Sequence, residues 1–221
     1  MSGQSRGVLD REMHSVQDDL LRLAGMVEQA VEGAVRAMVG LDEVLARQIA
    51  ADDANVNALR FKIEEACLAL IATQQPTASD LRSVVAAMNI VVDMERMGDH
   101  ATGIAKTVIR MGDEPLLKPL IDIPRMAEMA REMLREALEA YARRDAAKAR
   151  EIAVRDDEMD GLYQAVFDEL VEIMSHVPNS ATRATYLLWC AHNLERIGDR
   201  VTNIAERVIF VTTGDMRELN L

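Results

Sequence analysis

Two stretches of the sequence decide the fold: ERMGDHATGIAKTVI at residues 95–109 and ERIGDRVTNIAERVI at residues 195–209. Apolar side chains recur in each stretch at steps of three and four residues, which is the spacing of one face of an α-helix. This apolar stripe predicts a helix whose buried side belongs to the core of a bundle. The stripe consists of Met97, Ala101, Ile104 and Val108 in the first stretch and of Ile197, Val201, Ile204 and Val208 in the second.

A second pair of segments shows the same internal similarity. The segment DEVLARQIAADDANVNAL at 42–59 aligns without gaps on DAAKAREIAVRDDEMDGL at 145–162. Each segment begins with an aspartate, Asp42 or Asp145. Aspartate is a preferred N-cap residue, because its side chain accepts hydrogen bonds from the free N–H groups of the first turn. Matching segments in the same order predict a duplicated unit.

Proline positions divide the chain into helices. Pro76 and Pro178 each precede a long apolar-periodic segment, whereas Pro115, Pro119 and Pro124 mark a connection between the two halves. The sequence therefore predicts an all-α fold in which six helices form two tandem, duplicated three-helix bundles. The predicted helices span residues 8–40, 42–74, 77–112, 122–143, 145–176 and 178–213. The predicted domains are a first repeat at 1–114, a proline-rich connection at 115–124 and a second repeat at 125–221.

The composition agrees with helices and excludes several classes of function. Apolar residues make up 49% of the chain and aromatic residues only 3%, which favours packed helices over sheets. The net charge of −12, without any Lys/Arg-rich segment, argues against nucleic-acid binding, which needs a basic face. No apolar run approaches the roughly 18 residues of a membrane span, and the N-terminus lacks a signal-peptide core. Cys67 and Cys190 lack metal-ligand spacing, so we expect buried thiols in a cytoplasmic protein.

An acidic face runs along the helix side opposite the apolar stripe in both stretches. At about 100° per residue, Glu95 and Asp99 point away from the stripe, and Glu195 and Asp199 repeat the pattern. Carboxylates four residues apart repel each other when both are ionised. A cation between them removes this repulsion, and carboxylate oxygens are ligands for hard divalent ions and for iron or manganese. A single acidic pair is usually an ordinary solvated face, but its recurrence in both halves favours a metal site.

The second helix of each half offers further oxygen ligands. It carries Asp156 and Asp160 in the second half, but Asp53 and Asn57 in the first. These residues flank the apolar stripe of their own helix, so they can face the third helix edge-on. Spacing alone leaves open whether they converge on the acidic face.

A glycine lies between the glutamate and the aspartate of each motif. Gly98 and Gly198 each cost about 1 kcal/mol relative to alanine in a helix interior, so their presence needs a reason. Two explanations are equally open from the sequence. The glycines allow close packing of a neighbouring helix, or they let a ligand cluster approach the backbone.

Catalytic machinery is not visible in the sequence, which contains no glycine-rich phosphate loop, nucleophile elbow or Cys/His metal signature. We therefore expect a protein that is not an enzyme and that uses no organic cofactor. Two alternatives to a metal-binding regulator stay open. A helical adaptor without metal fits the same pattern. A carboxylate-bridged metal-storage or oxidase bundle is less well supported, because that class needs Glu-x-x-His pairs facing the core.

Several features together resemble the PhoU family of phosphate-uptake regulators. They are the segment PTASDLRSVVAAMNIVVDMERMGDHATGIAK from Pro76, the segment LLWCAHNLERIGDRVTNIAERVIF from Leu187, the two ERxGD motifs and the aspartate-containing second helices. The resemblance covers nearly the whole chain, and it implies surface clusters of iron or zinc on E(D)xxxD motifs. Carried over by position, the metal ligands are Glu195, Asp199, Asp156 and Asp160 in the second half and Glu95, Asp99 and Asp53 in the first.

The resemblance also implies partners and a function. Members of the family act as negative regulators when phosphate is plentiful, and they link the ATPase subunit of the phosphate ABC transporter to a phosphate-sensing histidine kinase. We accordingly expect a cytoplasmic homodimer that binds iron, zinc or manganese and no nucleic acid. Such a protein reaches the membrane only through its partners.

The first half departs from the family pattern at three positions. Asn57 replaces a carboxylate, Gly103 stands where the second half has Asn203, and Lys106 stands where it has Glu206. A lysine on the acidic face weakens a cation site by repulsion. The sequence therefore predicts that the stronger metal site belongs to the second half.

Overall fold

The computed structural model describes residues 3–215 and Leu219, with side chains from Arg6 onward. Every regular element in this part of the chain is an α-helix. No helix in it is long and apolar enough to cross a membrane. In chain order the helices are α1 (Gly3–Gly40), α2 (Glu43–Gln74), α3 (Ala78–Met111), α4 (Asp122–Arg143), α5 (Ala146–Val154), α6 (Asp156–His176) and α7 (Ala181–Thr213).

The predicted all-α fold of two duplicated bundles is confirmed. Helices α1, α2 and α3 pack together in the first half, and α4 to α7 in the second, where α5 and α6 together occupy the predicted fifth helix. The two predicted N-caps are also present. Asp42 accepts a hydrogen bond from the backbone N–H of Leu45 at 2.9 Å. Asp145 accepts two, from Ala147 and Lys148, both at 3.0 Å, and so satisfies N–H groups that the first turn leaves free.

Arg155 divides the predicted fifth helix into α5 and α6. Its backbone N–H donates to the carbonyl of Ile152 at 3.0 Å, a three-residue turn bond that interrupts the α-helical ladder. Its guanidinium donates to Glu136 at 3.1 Å and to Glu132 at 3.0 Å, both on α4. These ion pairs hold the break against α4. As a consequence, α6 begins at Asp156, one of the predicted ligands.

The two motif helices, α3 and α7, pack on each other more extensively than any other pair of helices. Asp93 of α3 accepts a hydrogen bond from Asn203 Nδ2 at 3.1 Å and lies 3.6 Å from Arg200 Nη1. At the equivalent place in the repeat, Asn193 Oδ1 of α7 lies 3.0 Å from His100 Nδ1. The duplication therefore extends to the contact between the halves. One of the two equivalent places holds the charged cluster around Asp93, and the other holds the neutral pair of His100 and Asn193.

Gly103 provides the space for this neutral pair. A Cβ atom at Gly103 would lie 3.2 Å from Asn193 Oδ1 and 3.6 Å from Asn193 Cγ. A side chain as large as Asn203, which occupies the equivalent position in the second half, would displace Asn193. Packing between the halves thus explains why the first half departs from the family pattern at Gly103.

The apolar stripes of both motif helices lie in the core, as predicted. Met97 is 1% exposed and Ile197 is fully buried. Cys67 and Cys190 are buried, free thiols. Burial raises the pKa of Cys67 to about 11 and that of Cys190 to about 12, so neither thiol is ionised at neutral pH.

Candidate metal centre

The second half brings its four predicted ligands to one groove between α6 and α7, which we call the acidic groove. Asp156 and Asp160 come from α6, and Glu195 and Asp199 lie one turn apart on α7. Burial, supported by the charges of Asp199, Asp160 and Asp156, raises the pKa of Glu195 to about 7. Burial and Asp199 also raise the pKa of Asp160. The two helices therefore meet edge-on, which the spacing had left open.

Gly198 allows this close approach. A Cβ atom there would lie 3.1 Å from Met159 Cγ and 3.2 Å from Asp156 Oδ1, and Asp156 is only 4% exposed. In the first half, a Cβ atom at Gly98 would meet the apolar Val56, whose Cγ1 atom lies at 3.2 Å. Both glycines serve close packing. A carboxylate of the facing helix lies beside each glycine, but it is closer in the second half, because Asp53 Oδ1 would lie 3.9 Å from a Cβ atom at Gly98.

The negative charge of Glu195 is poorly compensated within the acidic groove. Its side chain is 18% exposed, and its buried Oε2 accepts no hydrogen bond from the described residues. His192 Nδ1 lies 3.4 Å away, and the His192 ring contacts those of Tyr163 and Trp189, each with centroids 5.9 Å apart. A buried carboxylate oxygen without a donor is costly unless it is protonated or bound to a cation.

Arg196 compensates the neighbouring carboxylate, because its Nη1 donates to Asp199 Oδ2 at 2.5 Å. Within the described part of the chain, no three histidine, cysteine, aspartate or glutamate side chains stand close enough together to hold an ion as placed. The donor set of four carboxylates on two helices nevertheless has the chemistry that iron, zinc and manganese accept. Ion binding here would therefore require these side chains to move closer together, and the pair between Arg196 and Asp199 would compete with the ion.

The first half also gathers its predicted carboxylates but supplies them with hydrogen-bond donors. Asp53 Oδ1 accepts from Thr102 Oγ1 at 3.2 Å, and Asp53 Oδ2 accepts from Asn57 Nδ2 at 3.1 Å. Burial and then the charge of Asp53 raise the pKa of Asp99, while Lys106 is among the cations that oppose this rise. The charge of Lys106 therefore reaches Asp99, whereas its effect on a bound cation stays a prediction.

Arg60 is a further part of the first-half site that the sequence interpretation missed. Its Nη1 atom lies 3.5 Å from Glu95 Oε1, and its Nη2 atom donates to Glu64 at 3.2 Å. Burial and the charge of Asp99 raise the pKa of Glu95, and the charge of Arg60 opposes that rise. The first half thus carries its own cation beside the motif glutamate.

The second half has Tyr163 at the position of Arg60. The ring of Tyr163 contacts His192, so the arginine that compensates Glu95 has no counterpart beside Glu195. The signal was available in the sequence, because extending the alignment of 42–59 with 145–162 by one residue pairs Arg60 with Tyr163.

Comparison with known proteins identifies the family of this chain. A family model described as the PhoU domain matches residues 20–108 and again residues 123–208. The chain belongs to the PhoU family. The two matches fall in the two halves and confirm the tandem repeat, while the boundaries at residues 114 and 125 stay predictions.

Relatives match this chain over almost its whole length. A Clostridium acetobutylicum protein named phosphate-specific transport system accessory protein PhoU homolog is 36% identical over 217 residues, which are 98% of this chain and 99% of that protein. The crystal structure of PhoU from Pseudomonas aeruginosa superposes with a TM-score of 0.88 at 35% identity, covering 93% of this chain and 99% of that one. The phosphate transport system regulatory protein PhoU from Streptococcus pneumoniae superposes with the same TM-score at 32% identity, covering 95% and 99%.

Proposed function

We propose that this protein is a negative regulator of phosphate uptake and of the phosphate-starvation response. The proposal is supported by its family and by relatives that are named accessory proteins of the phosphate-specific transport system. In this role the protein is a cytoplasmic, homodimeric adaptor rather than an enzyme. It links the ATPase subunit of a phosphate ABC transporter to a phosphate-sensing histidine kinase, and it binds no nucleic acid.

An adaptor of this kind acts by binding one state of a partner better than another. A kinase that also has phosphatase activity is shifted towards the phosphatase state when the adaptor binds that state more tightly. Helical bundles suit this task, because close-packed helices hold their exposed side chains in a fixed arrangement.

The acidic groove is the single structural feature of this chain that supports the function proposed from its family. Asp156, Asp160, Glu195 and Asp199 would hold iron, zinc or manganese there. A bound ion supplies the positive charge that ends the mutual repulsion of these carboxylates. The four residues would then join α6 to α7 and fix the surface that this half presents to a partner.

The first half provides a second, weaker site in this proposal. Glu95, Asp99 and Asp53 are its ligands, and Arg60 and Lys106 compete with the ion for them. These two cations, set against the single pair of Arg196 with Asp199 in the second half, favour a lower affinity in the first half.

A metal-free adaptor is the second candidate, and one observation favours it. The ion pair between Arg196 and Asp199 already neutralises one carboxylate of the acidic groove. The metal-storage or oxidase alternative has less support, because the interior faces of the motif helices are apolar and the carboxylates line a surface groove.

Removing the motif carboxylates tests the proposed function. In cells that carry Glu195→Ala with Asp199→Ala, we expect phosphate-starvation genes to be expressed in phosphate-rich medium. Asp168→Ala with Glu172→Ala is the matched control, because it removes an exposed acidic pair with the same spacing from α6. Full repression by the motif variant, at normal protein level, contradicts a role for the groove. Metal analysis of the purified protein then separates the two adaptor candidates.

A further inference from the structure

A second groove, which we call the arginine groove, lies between α3 and α7 beside the acidic groove. It has a volume of about 390 Å³, and the α7 residues Arg196, Arg200 and Arg207 line it together with the carboxylates of Asp93, Asp199 and Glu206. A fourth guanidinium, that of Arg96 on α3, acts on Asp93 in the same groove. In a chain with a net charge of −12, this concentration of cations requires an explanation.

Two of these arginines are held only loosely by carboxylates. Arg200 Nη1 lies 3.6 Å from Asp93 Oδ1, and Arg207 Nη2 lies 3.5 Å from Glu206 Oε2. A strong charge-assisted hydrogen bond between such groups measures about 2.7–2.9 Å. In addition, Arg200 Nε is buried without an acceptor among the described residues. A guanidinium offers five N–H donors, so these two ion pairs leave further donors of Arg200 and Arg207 for a ligand.

A buried hydroxyl points to the same conclusion independently. Thr202 lines the arginine groove and is only 2% exposed, yet its Oγ1 makes no hydrogen bond with the described residues. Its counterpart in the first half, Thr102, donates to Asp53 at 3.2 Å. An unused buried hydroxyl is costly, and a bound ligand with hydrogen-bonding oxygens would remove the cost.

We propose that the arginine groove binds inorganic hydrogen phosphate. The phosphate oxygens accept hydrogen bonds from Arg196, Arg200, Arg207 and Thr202, and the remaining phosphate O–H donates to the carboxylate of Asp93 or Glu206. Phosphate as the sensed effector rests on the proposed function, whereas its binding to the groove does not.

The carboxylates in the groove make the proposed site selective. Hydrogen phosphate both accepts and donates hydrogen bonds, so it can satisfy arginine donors and a carboxylate acceptor together. Sulfate has only acceptors and would face Asp93 and Glu206 with like charge. A phosphate monoester dianion lacks the same proton. The groove therefore favours the free anion over both.

The two grooves share a pair of residues, because Arg196 and Asp199 line both. An anion that draws Arg196 towards itself releases Asp199, and a cation that recruits Asp199 releases Arg196. Phosphate in one groove and a metal ion in the other would therefore strengthen each other's binding.

Calorimetric titration of metal-free protein with sodium phosphate, sodium sulfate and phosphoserine tests the inference. We expect one phosphate per chain, with sulfate and phosphoserine each at least about tenfold weaker. Arg207→Gln and Thr202→Val should each weaken phosphate binding by about tenfold, the valine variant preserving side-chain shape. Arg125→Gln is the control, because it removes the same charge from an exposed ion pair with Glu158 outside the groove.

Three outcomes would overturn the inference. They are no saturable phosphate binding at millimolar concentration, sulfate or phosphoserine binding as tightly as phosphate, and equal losses in Arg125→Gln and Arg207→Gln. Circular dichroism shows whether each variant is folded. This titration uses metal-free protein and needs no partner. A negative result would therefore disprove phosphate binding in the arginine groove without deciding whether the protein represses phosphate-starvation genes.

Discussion

The carboxylate of Asp156 occupies the space in which Gly198 would otherwise carry a side chain, since a Cβ atom at Gly198 would lie 3.2 Å from Asp156 Oδ1. This contact joins α6 to α7 at the acidic groove. The equivalent contact in the first half is looser, since a Cβ atom at Gly98 would lie 3.9 Å from Asp53 Oδ1 and 3.2 Å from Val56 Cγ1. The duplicated glycine has therefore kept its packing role in both halves, and the carboxylate of the facing helix lies closer to it in the second half.

Gly198→Ala should destabilise the protein by about 1–3 kcal/mol, because overpacking against Asp156 and Met159 outweighs the better helix propensity of alanine. Urea denaturation followed by circular dichroism measures the change. Gly161→Ala is the control within α6, where a Cβ atom would meet nothing within 4 Å. That variant should be more stable than the wild type by about 0.5–1 kcal/mol. Stabilisation by both substitutions would show that α6 does not press against Gly198.

The stability of the metal-free protein should fall as the pH rises through the titration of Glu195. Its pKa is raised from 4.5 to about 7, chiefly by burial. The folded state therefore binds this proton more tightly than the unfolded chain, and the unfolding free energy decreases between about pH 4.5 and pH 7.

Glu195→Gln should remove this loss. Allowing for solvent screening, we expect the variant to be more stable than the wild type by about 1–2 kcal/mol at pH 8, and by much less at pH 5. Urea denaturation at the two pH values measures the difference. The control is Asp168→Asn, at an exposed position on α6, which should change the free energy of unfolding by the same amount at both pH values. An unchanged difference between Glu195→Gln and the wild type would show that Glu195 ionises normally.

Exchanging the residues at the duplicated positions 60 and 163 should exchange the properties of the two sites. Tyr163→Arg places a cation near Glu195, as Arg60 stands near Glu95, and should weaken metal binding to the second half by about tenfold. Arg60→Tyr should strengthen binding to the first half. Titration with manganese and zinc measures both effects, and Tyr163→Phe serves as the control. Unchanged affinities would rule out compensation by Arg60 as the source of the difference.

The parts of the fold that follow from local spacing were predictable from the sequence. The apolar stripes of α3 and α7, the caps Asp42 and Asp145, and the acidic faces all depend on residues within a few turns of one helix. The break at Arg155 depends instead on Glu132 and Glu136 of α4. In the first half, Asp52, which aligns with Arg155, lies within the unbroken helix α2. No local sequence pattern therefore marks the position of the break.

Contacts between elements also explain the parts of the site that were missed. Spacing placed Glu95 on an acidic face, but the reach of Arg60 from α2 appears only when the two helices are packed. His100 carries no sequence signal for its bond to Asn193, because the partner lies in the other half of the chain. The spacing of residues along one helix shows which side chains share a face. Whether the charges on that face are neutralised depends on the side chains of the neighbouring helix.

The predicted inequality of the two metal sites can be adjusted by substitution. Asn57→Asp with Lys106→Glu restores the carboxylate and removes the cation that distinguish the first half, so this variant should strengthen the weaker site by about 10- to 100-fold. Titration of metal-free protein with manganese or zinc measures the gain. Lys62→Glu is the charge control, since Lys62 pairs with Asp19 away from the site. An equal gain in that control would indicate a general electrostatic effect.

The most direct test of a metal centre in the acidic groove compares Glu195→Ala with its duplicate Glu95→Ala in the same titration. Wild-type, metal-free protein should show one tighter and one weaker class of site for manganese, iron or zinc. Glu195→Ala should abolish the tight class, whereas Glu95→Ala should leave it unchanged and remove the weak one. Two indistinguishable classes in the wild type, or tight binding that survives Glu195→Ala, would contradict the placement of the principal metal site between α6 and α7.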